Sequence, residues 1–419
     1  MKTSIEEYYW GSFLSQAAYG DYSNITYDPS GFGTGDDVKT ALMEQGSGEP
    51  EFTGEQADTF QDRFKLVAPY YDPDSGFRAA LFLDTETNEY TLAIAGTEAD
   101  EKLLDIVFAD ILGIAYTGQA SGQIASMFTF YDQLVTTGVL TFDTRINVTG
   151  HSLGGHLATI FAIYRPLAIN QVTTYNGAGI GDGNAGAVRV QLDEILGDLQ
   201  DSLSGGSLEH ERITNIYADT GPELVAGLGV LYGSVQPVYI EDNGPLDNHS
   251  IKYLSDALAV YRLFEQLQGD ISIGTVSSIL QASVSVTAEH SSLEETLNSV
   301  ARLFGQTLSW SAGDADQYRN DLYANISSLE TVIAPAAGGL VVTGLVGQDA
   351  STLLARANPA VGGAIEFRYA IQELNPFAVS GDVSLYAAAS VDGYLDWERF
   401  SLDYWHDRSS LLYWKTRSN

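Results

Sequence analysis

The sequence predicts an α/β fold: a mostly parallel central sheet with its chemistry at the strand ends, followed by a mainly helical C-terminal region. One observation is the stretch "RINVTGHSLGGHLATIFAIYRP" (145–166), where a strand gives way to a helix across a single sharp turn. Another is a pair of further β-rich runs, "EYTLAIAGT" (89–97) and "ERITNIYADTGPEL" (211–224), each closing on a turn signal. Finally, the texture changes near residue 270, beyond which helical candidates predominate. The expected division is an α/β domain over 1–270 and a C-terminal region of undefined role over 271–419.

Ile146, Val148 and Thr149 favour strand, and a short apolar run of such residues reads as a buried one. Beyond Leu153 the period changes. Leu157, Ile160, Phe161 and Tyr164 mark a helix that Pro166 stops. Between strand and helix stands Gly150-His151-Ser152-Leu153-Gly154, a G-x-S-x-G. In a nucleophile elbow the flanking glycines let strand and helix approach, and the serine hydroxyl is thrown clear above the sheet. With 42 glycines in 419 residues the bare pattern is weak, and an ordinary glycine-rich turn is the alternative. Its position between strand and helix is what gives it weight.

A serine hydroxyl needs a base, and the base an orienting carboxylate. In α/β-hydrolases the chain order is Ser, then Asp or Glu, then His. Only six histidines are available: 151, 156, 210, 249, 290 and 406. His151 lies inside the elbow and is expected to point away from Ser152. His156, on the following helix, reads as packing. Asp219 falls just past the strand Ile213–Tyr217, where parallel sheets build their sites. His249 is expected in a loop before a helix striped by Ile251, Leu254, Leu258, Tyr261 and Phe264. Asp219 and His249 are therefore the expected partners of Ser152, with Glu223 and Asp247 as weaker carboxylates; a turn-forming role for Asp219 is the alternative. The oxyanion donors are expected at the Leu153 N–H and, after the strand ending at Ala95, at Thr97.

"VTGHSLGGHLA", an upstream Gly-Thr ending another strand, a later Asp and the "NHS" histidine together resemble the class 3 lipase family. This α/β-hydrolase group includes fungal triacylglycerol lipases and bacterial phospholipases A1. "FLSQAAYGDY" (13–22) resembles the family's first helix, and the likeness spans roughly residues 10 to 270. The resemblance implies Ser152 as nucleophile, Asp219 as orienter, His249 as base, and Thr97 with Leu153 as oxyanion donors. It implies lipid ester hydrolysis by triacylglycerol lipase or phospholipase A1 chemistry. Two departures stand out: Ala95-Gly96-Thr97 lacks the family's arginine, and His156 occupies a position where a small residue is commoner.

Composition narrows the setting. Fifty-five acids against 20 Lys and Arg give a net charge of −35, which repels nucleic acid and anionic membranes. With no cysteine, thiol chemistry, disulfides and Cys-zinc sites are excluded. No cofactor is required by the chemistry, though a calcium ion could brace a loop in so acidic a chain; no EF-hand spacing is present. The opening "MKTSIEEYYWGSFLSQAAYGDY" lacks a signal peptide's basic-then-apolar pattern. The expectation is export by a signal-independent route or cytoplasmic residence.

The partners expected are a lipid or ester substrate and a transient lipid-interface contact, with oligomeric state undefined. Alternatives are an esterase for polyesters or small esters, an effector attacking a neighbour's phospholipid, and an inactive hydrolase scaffold that only binds. "DIVFADILGIAYTGQASGQ" (105–123) and "LVAGLGVLYGSVQP" (224–237) are candidate covers over an acyl groove. In the C-terminal region "SSLEETLNSVARLFGQ", "DADQYRNDLYANISSLE" and "SLDYWHDRSSLLYWKT" are expected helices. "TVIAPAAGGLVVTGLVG" (331–347) is too short and interrupted to span a membrane and reads as a buried strand pair or turn.

Overall fold

The computed structural model describes residues 4–33, 35–44, 52–96, 121–180, 210–221, 225, 229–242, 244–283, 291–311, 313–337 and 339–417. The chain divides into two compact units, Met1–Ser255 and Asp256–Asn419. The division falls inside the helix Ile251–Leu267, ahead of the residue 270 expected from composition. Its second half makes its ion pairs within the later unit: Asp256 takes a bidentate bond from Arg319 and the Tyr323 hydroxyl, and Arg262 pairs with Glu330. Composition alone carries no record of such long-range pairing.

The first unit is built on a seven-stranded sheet whose spatial order follows the chain: β1 Phe64–Asp72, β2 Phe77–Asp84, β3 Glu89–Ile94, β4 Ile146–His151, β5 Ile169–Tyr175, β6 Ile213–Ala218 and β7 Ser234–Val238. The first two pairings are antiparallel, and β3 through β7 run parallel. The α/β class and the mostly parallel sheet expected from the sequence are thus observed. Both edge strands carry a proline, Pro69 in β1 and Pro237 in β7. Proline cannot donate to a ladder, so such positions are restricted to edges.

Strand alternation decides which layer each residue serves. Ile146, Val148 and Val172 turn to one face, joined by Ile169 across an irregularity in the β4–β5 register, and there they pack with Leu157, Ile160 and Phe161 of helix Leu153–Tyr164 and Met127 and Phe128 of helix Ser121–Thr136. Thr149, His151 and Tyr175 turn to the other face. There Thr149 bonds Ser15 and the Gly11 carbonyl, and the Tyr175 hydroxyl bonds the Tyr8 carbonyl, all on the first helix, Ile5–Ala17. That helix starts on a capping box between Ser4 and Glu7 and is buried along most of its girth by Tyr9, Trp10, Phe13 and Leu14. Its far end delivers Tyr19 to the carboxyl ends of the strands.

The second unit is mainly helical. Helices Ile273–Ala282, Ser292–Leu303, Ala315–Ile333, Ala350–Ala357, Ile365–Glu373 and Leu402–Lys415 accompany a two-stranded antiparallel ladder, β8 Val341–Gly344 with β9 Phe377–Ser380. Ser291 caps the Ser292 helix through the Glu294 N–H, as its sequence predicts. The apolar stretch 331–347 resolves into a helix end, a short 3₁₀ turn and β8; its partner strand lies outside the stretch. A small core centres on Trp405, fully buried, whose ring stacks on Trp397 at 5.1 Å. Among the described residues no helix is long and apolar enough to cross a membrane.

Candidate active site

Ser152 stands at the junction of β4 and the elbow helix Leu153–Tyr164 with φ 57° and ψ −122°, a conformation non-glycine residues rarely adopt. The flanking glycines are forced by contact. A Cβ on Gly150 would lie 2.3 Å from the Gly154 carbonyl oxygen, and one on Gly154 would lie 2.2 Å from that of Ile94. Ladder geometry holds the strain in place, since the Ser152 N–H donates to the Tyr175 carbonyl at 3.0 Å. As first residue of the helix, Leu153 has no helical carbonyl for its N–H, and the helix dipole favours an anion there.

His249 Nε2 lies 2.9 Å from Ser152 Oγ. The histidine closes a five-residue helix, Pro245–His249, where sequence had suggested a loop. Proline at the first position pre-sets such a turn. The segment is tied down on several sides. Asn248 Nδ2 donates to the Thr220 carbonyl and to Asp242, both at 2.9 Å. That bond, with the Gly244 N–H, holds the Asp242 carboxyl below the usual range. Asn176, just past β5 and at φ 44°, donates to the Asn248 and His249 carbonyls at 3.0 Å each. Its own oxygen accepts the Ala218 N–H at the end of β6. His151 Nε2 reaches the His249 carbonyl at 2.7 Å, while its Nδ1 meets the Tyr19 hydroxyl at 2.8 Å.

The other expected residues fare differently. Asp219 follows β6, with its N–H donating to the Val238 carbonyl, but its side chain is exposed. Among the described residues no hydrogen bond joins its carboxylate to His249. Asp247 lies in the same short helix as His249, and its carbonyl accepts the Ser250 N–H. Thr97, Glu223 and residues 105–120 of one candidate cover lie outside the described residues. In the other candidate cover, residues 234–237 belong to edge strand β7, so that part is fixed in the sheet. His156 is buried, as its packing role requires; burial lowers its pKa, and Nδ1 lies 2.9 Å from the Gly179 carbonyl. Sequence reasoning missed Tyr19 and Asn176. An asparagine-glycine pair closing a β-rich run, "TTYNG", is the signal that could have exposed Asn176.

Residues 14–195 match the model of the Tle-like phospholipase domain, a stretch of fewer than half the chain's residues. The likeness is to lipases and phospholipases. Solved structures similar to this chain include the Lip2 lipase of Yarrowia lipolytica, at 16% identity and TM-score 0.35, covering 58% of this chain and 82% of that one. The native lipase–propeptide complex of Rhizomucor miehei matches at 15% identity and TM-score 0.31, over 60% and 76%. A triacylglycerol lipase of Penicillium expansum matches at 12% and 0.29, over 56% and 79%. No curated protein matches the chain.

Proposed function

We propose that this protein is a serine carboxylic-ester hydrolase acting on lipids, with phospholipid as the first substrate class to test. The observation that carries the reading is the 2.9 Å approach of His249 Nε2 to a serine held at a strained, glycine-flanked strand-to-helix turn. The phospholipase description of the matching family model supports phospholipid over triacylglycerol.

In this reading His249 takes the Ser152 proton as Oγ attacks the ester carbonyl. The oxyanion that forms is met by the Leu153 N–H and by Thr97. His249 then gives its proton to the leaving alcohol, and a water activated by the same imidazole releases the fatty acid. Asp219 is the proposed orienter of the ring, standing at the end of β6 beside the turn that Asn248 holds. Every step is carried by side chains and backbone donors, so the chemistry calls for no cofactor.

The test is hydrolysis of short- and long-chain p-nitrophenyl esters and of phosphatidylcholine micelles by wild type, Ser152→Ala and Asp219→Asn. Loss of about three orders of magnitude or more in Ser152→Ala is expected, in line with triad knockouts. Asp219→Asn is expected to lose at least about a hundredfold, since a misoriented imidazole is a poor base. Equal turnover by wild type and Ser152→Ala sinks the serine mechanism. An Asp219→Asn variant within a few-fold of wild type removes Asp219 from it.

A further inference from the structure

Two backbone groups beside the elbow end on one buried pair of side chains. The Gly96 N–H, at the end of β3, donates to the Tyr19 hydroxyl at 2.9 Å. A Cβ at Gly96 would sit 2.6 Å from that hydroxyl and 2.9 Å from the His151 carbonyl, so the strand end is pressed against the elbow. Tyr19 in turn meets His151 Nδ1, and His151 Nε2 meets the carbonyl of His249.

The protons in this chain can be assigned from the partners. A carbonyl only accepts, so His151 Nε2 carries a hydrogen. His151 is buried, and burial, reinforced by the neighbouring His249, pushes its pKa down to about 3, so the ring is neutral. Its single hydrogen is therefore the one on Nε2, and Nδ1 accepts. The Tyr19 O–H donates to Nδ1 and, through a lone pair, accepts from Gly96. Asn176 supplies the second donor to the His249 carbonyl, which fills both of that oxygen's lone pairs.

We propose that His151, held as its neutral Nε2–H tautomer by Tyr19, is a positioning residue that ties the backbone of His249 to the elbow and to the end of β3. The assignment of His249 as the base rests on the function proposed above. One side chain adjacent to the nucleophile thereby sets both the base and the strand that leads to Thr97.

The choice of partner at Nδ1 matters. The His151 and His249 rings lie with centroids 4.8 Å apart. A carboxylate at Nδ1 would favour a charged His151, which would oppose the imidazolium that forms on His249 during acyl transfer. A tyrosine hydroxyl supplies a hydrogen bond and no charge. Arg78, from β2, donates to the Tyr19 carbonyl at 2.8 Å and so holds the backbone that carries this hydroxyl.

The experiment compares Tyr19→Phe, His151→Leu and His151→Gln, each normalised to Ser152 titrated with a phosphonate. Gln keeps a donor where Nε2 stood. The expected kcat falls about tenfold in Tyr19→Phe and about a hundredfold in His151→Leu, with KM within about twofold, the pattern of a misplaced base. His151→Gln should recover most of the loss. Variants that melt lower yet keep wild-type kcat per titrated serine would overturn the proposal, because they report a structural role only.

A second readout needs no turnover. Nitrogen-15 spectra of the wild-type imidazoles, with His151 assigned by its loss in His151→Gln, should show a hydrogen on Nε2 alone and no titration between pH 5 and pH 8. A His151 ring that titrates near its ordinary value, or carries its hydrogen on Nδ1, refutes the tautomer even if no ester is hydrolysed. Conversely, the expected spectrum in a protein without esterase activity would sink the function and leave the network standing.

Discussion

The two ends of the same parallel strands are built on opposite principles. At their carboxyl ends, Tyr19, His151, Asn176 and Asn248 bond chiefly to backbone groups of other elements; the two asparagines have no ionisable group, and His151 is held neutral. At the amino ends charges answer charges. Arg63 forks onto Asp84, reaches Glu86 at 2.9 Å and Glu6 at 3.5 Å, and lies over the Trp10 ring at 4.3 Å. Arg63, Asp84 and Trp10 border a cavity of about 110 Å³ that Asn147, Thr149 and Thr173 also line. Side-chain-to-backbone bonds fix where the main chain lies, whereas ion pairs at a partly exposed edge mostly contribute stability. The comparison teaches that the end carrying the proposed site is the one where side chains govern backbone position.

That difference can be broken experimentally, and the largest effect belongs to the elbow. Gly154→Ala drives a Cβ against the Ile94 carbonyl, so the elbow must shift. A loss of about 3 kcal/mol or more and at least about a hundredfold in turnover is expected from denaturant melts and the ester assay. A stable, fully active Gly154→Ala would show that strand and helix do not need this approach.

Next comes Asn176→Ala, which strips donors from two carbonyls and an acceptor from the Ala218 N–H. About 2–3 kcal/mol and roughly tenfold in kcat are expected to go together. Arg63→Ala is the counterpart at the amino end. With Asp84 half-freed and two exposed acids released, it is expected to cost about 2 kcal/mol. Its kcat should stay at the wild-type value. A large fall in kcat there would erase the distinction between the two ends.

Acid sharpens the contrast through His151. Its folded pKa of about 3 lies below the ordinary 6.5, so the unfolded chain binds the extra proton in that window. Stability is complete above about pH 6.5 and drains as pH falls toward 3, by about 1.4 kcal/mol per pH unit for this one group. Denaturant melts from pH 7 to 4.5 should show a slope shallower by that amount in His151→Gln than in wild type. Equal slopes would mean that the ring is protonated when folded. Smallest of all, Asn147→Ala removes one exposed bond to Glu89 and should change stability by less than about 0.5 kcal/mol.

The elbow was legible because its signal is local. The apolar period switches from strand to helix within a few residues, and close approach leaves glycine alone acceptable at 150 and 154. His249 was legible through chain order and the scarcity of histidine. Tyr19 was not, since it meets His151 across 132 residues and no local pattern records that pairing. Asn176 was missed for a similar reason: its αL backbone and its three partners become visible only once β5, β6 and the helix Pro245–His249 are side by side. Of the stretch 224–237, offered as a cover, residues 234–237 instead form edge strand β7, where a proline is tolerated.

Those edge prolines have a consequence for the molecule in a crowded solution. An open sheet ordinarily presents a free row of amide donors at each side, a template on which another chain can add a strand. Here Pro69 leaves a gap in that row on β1, and Pro237 leaves one on β7. The Leu66 backbone of β1 is already occupied by the Gly33 N–H, and the β1–β2 register slips between Leu66 and Ala68. Parallel sheets as a class pair over long range and form slowly, and this one is guarded at both margins against strand addition by another chain, a protection independent of the acidic surface charge.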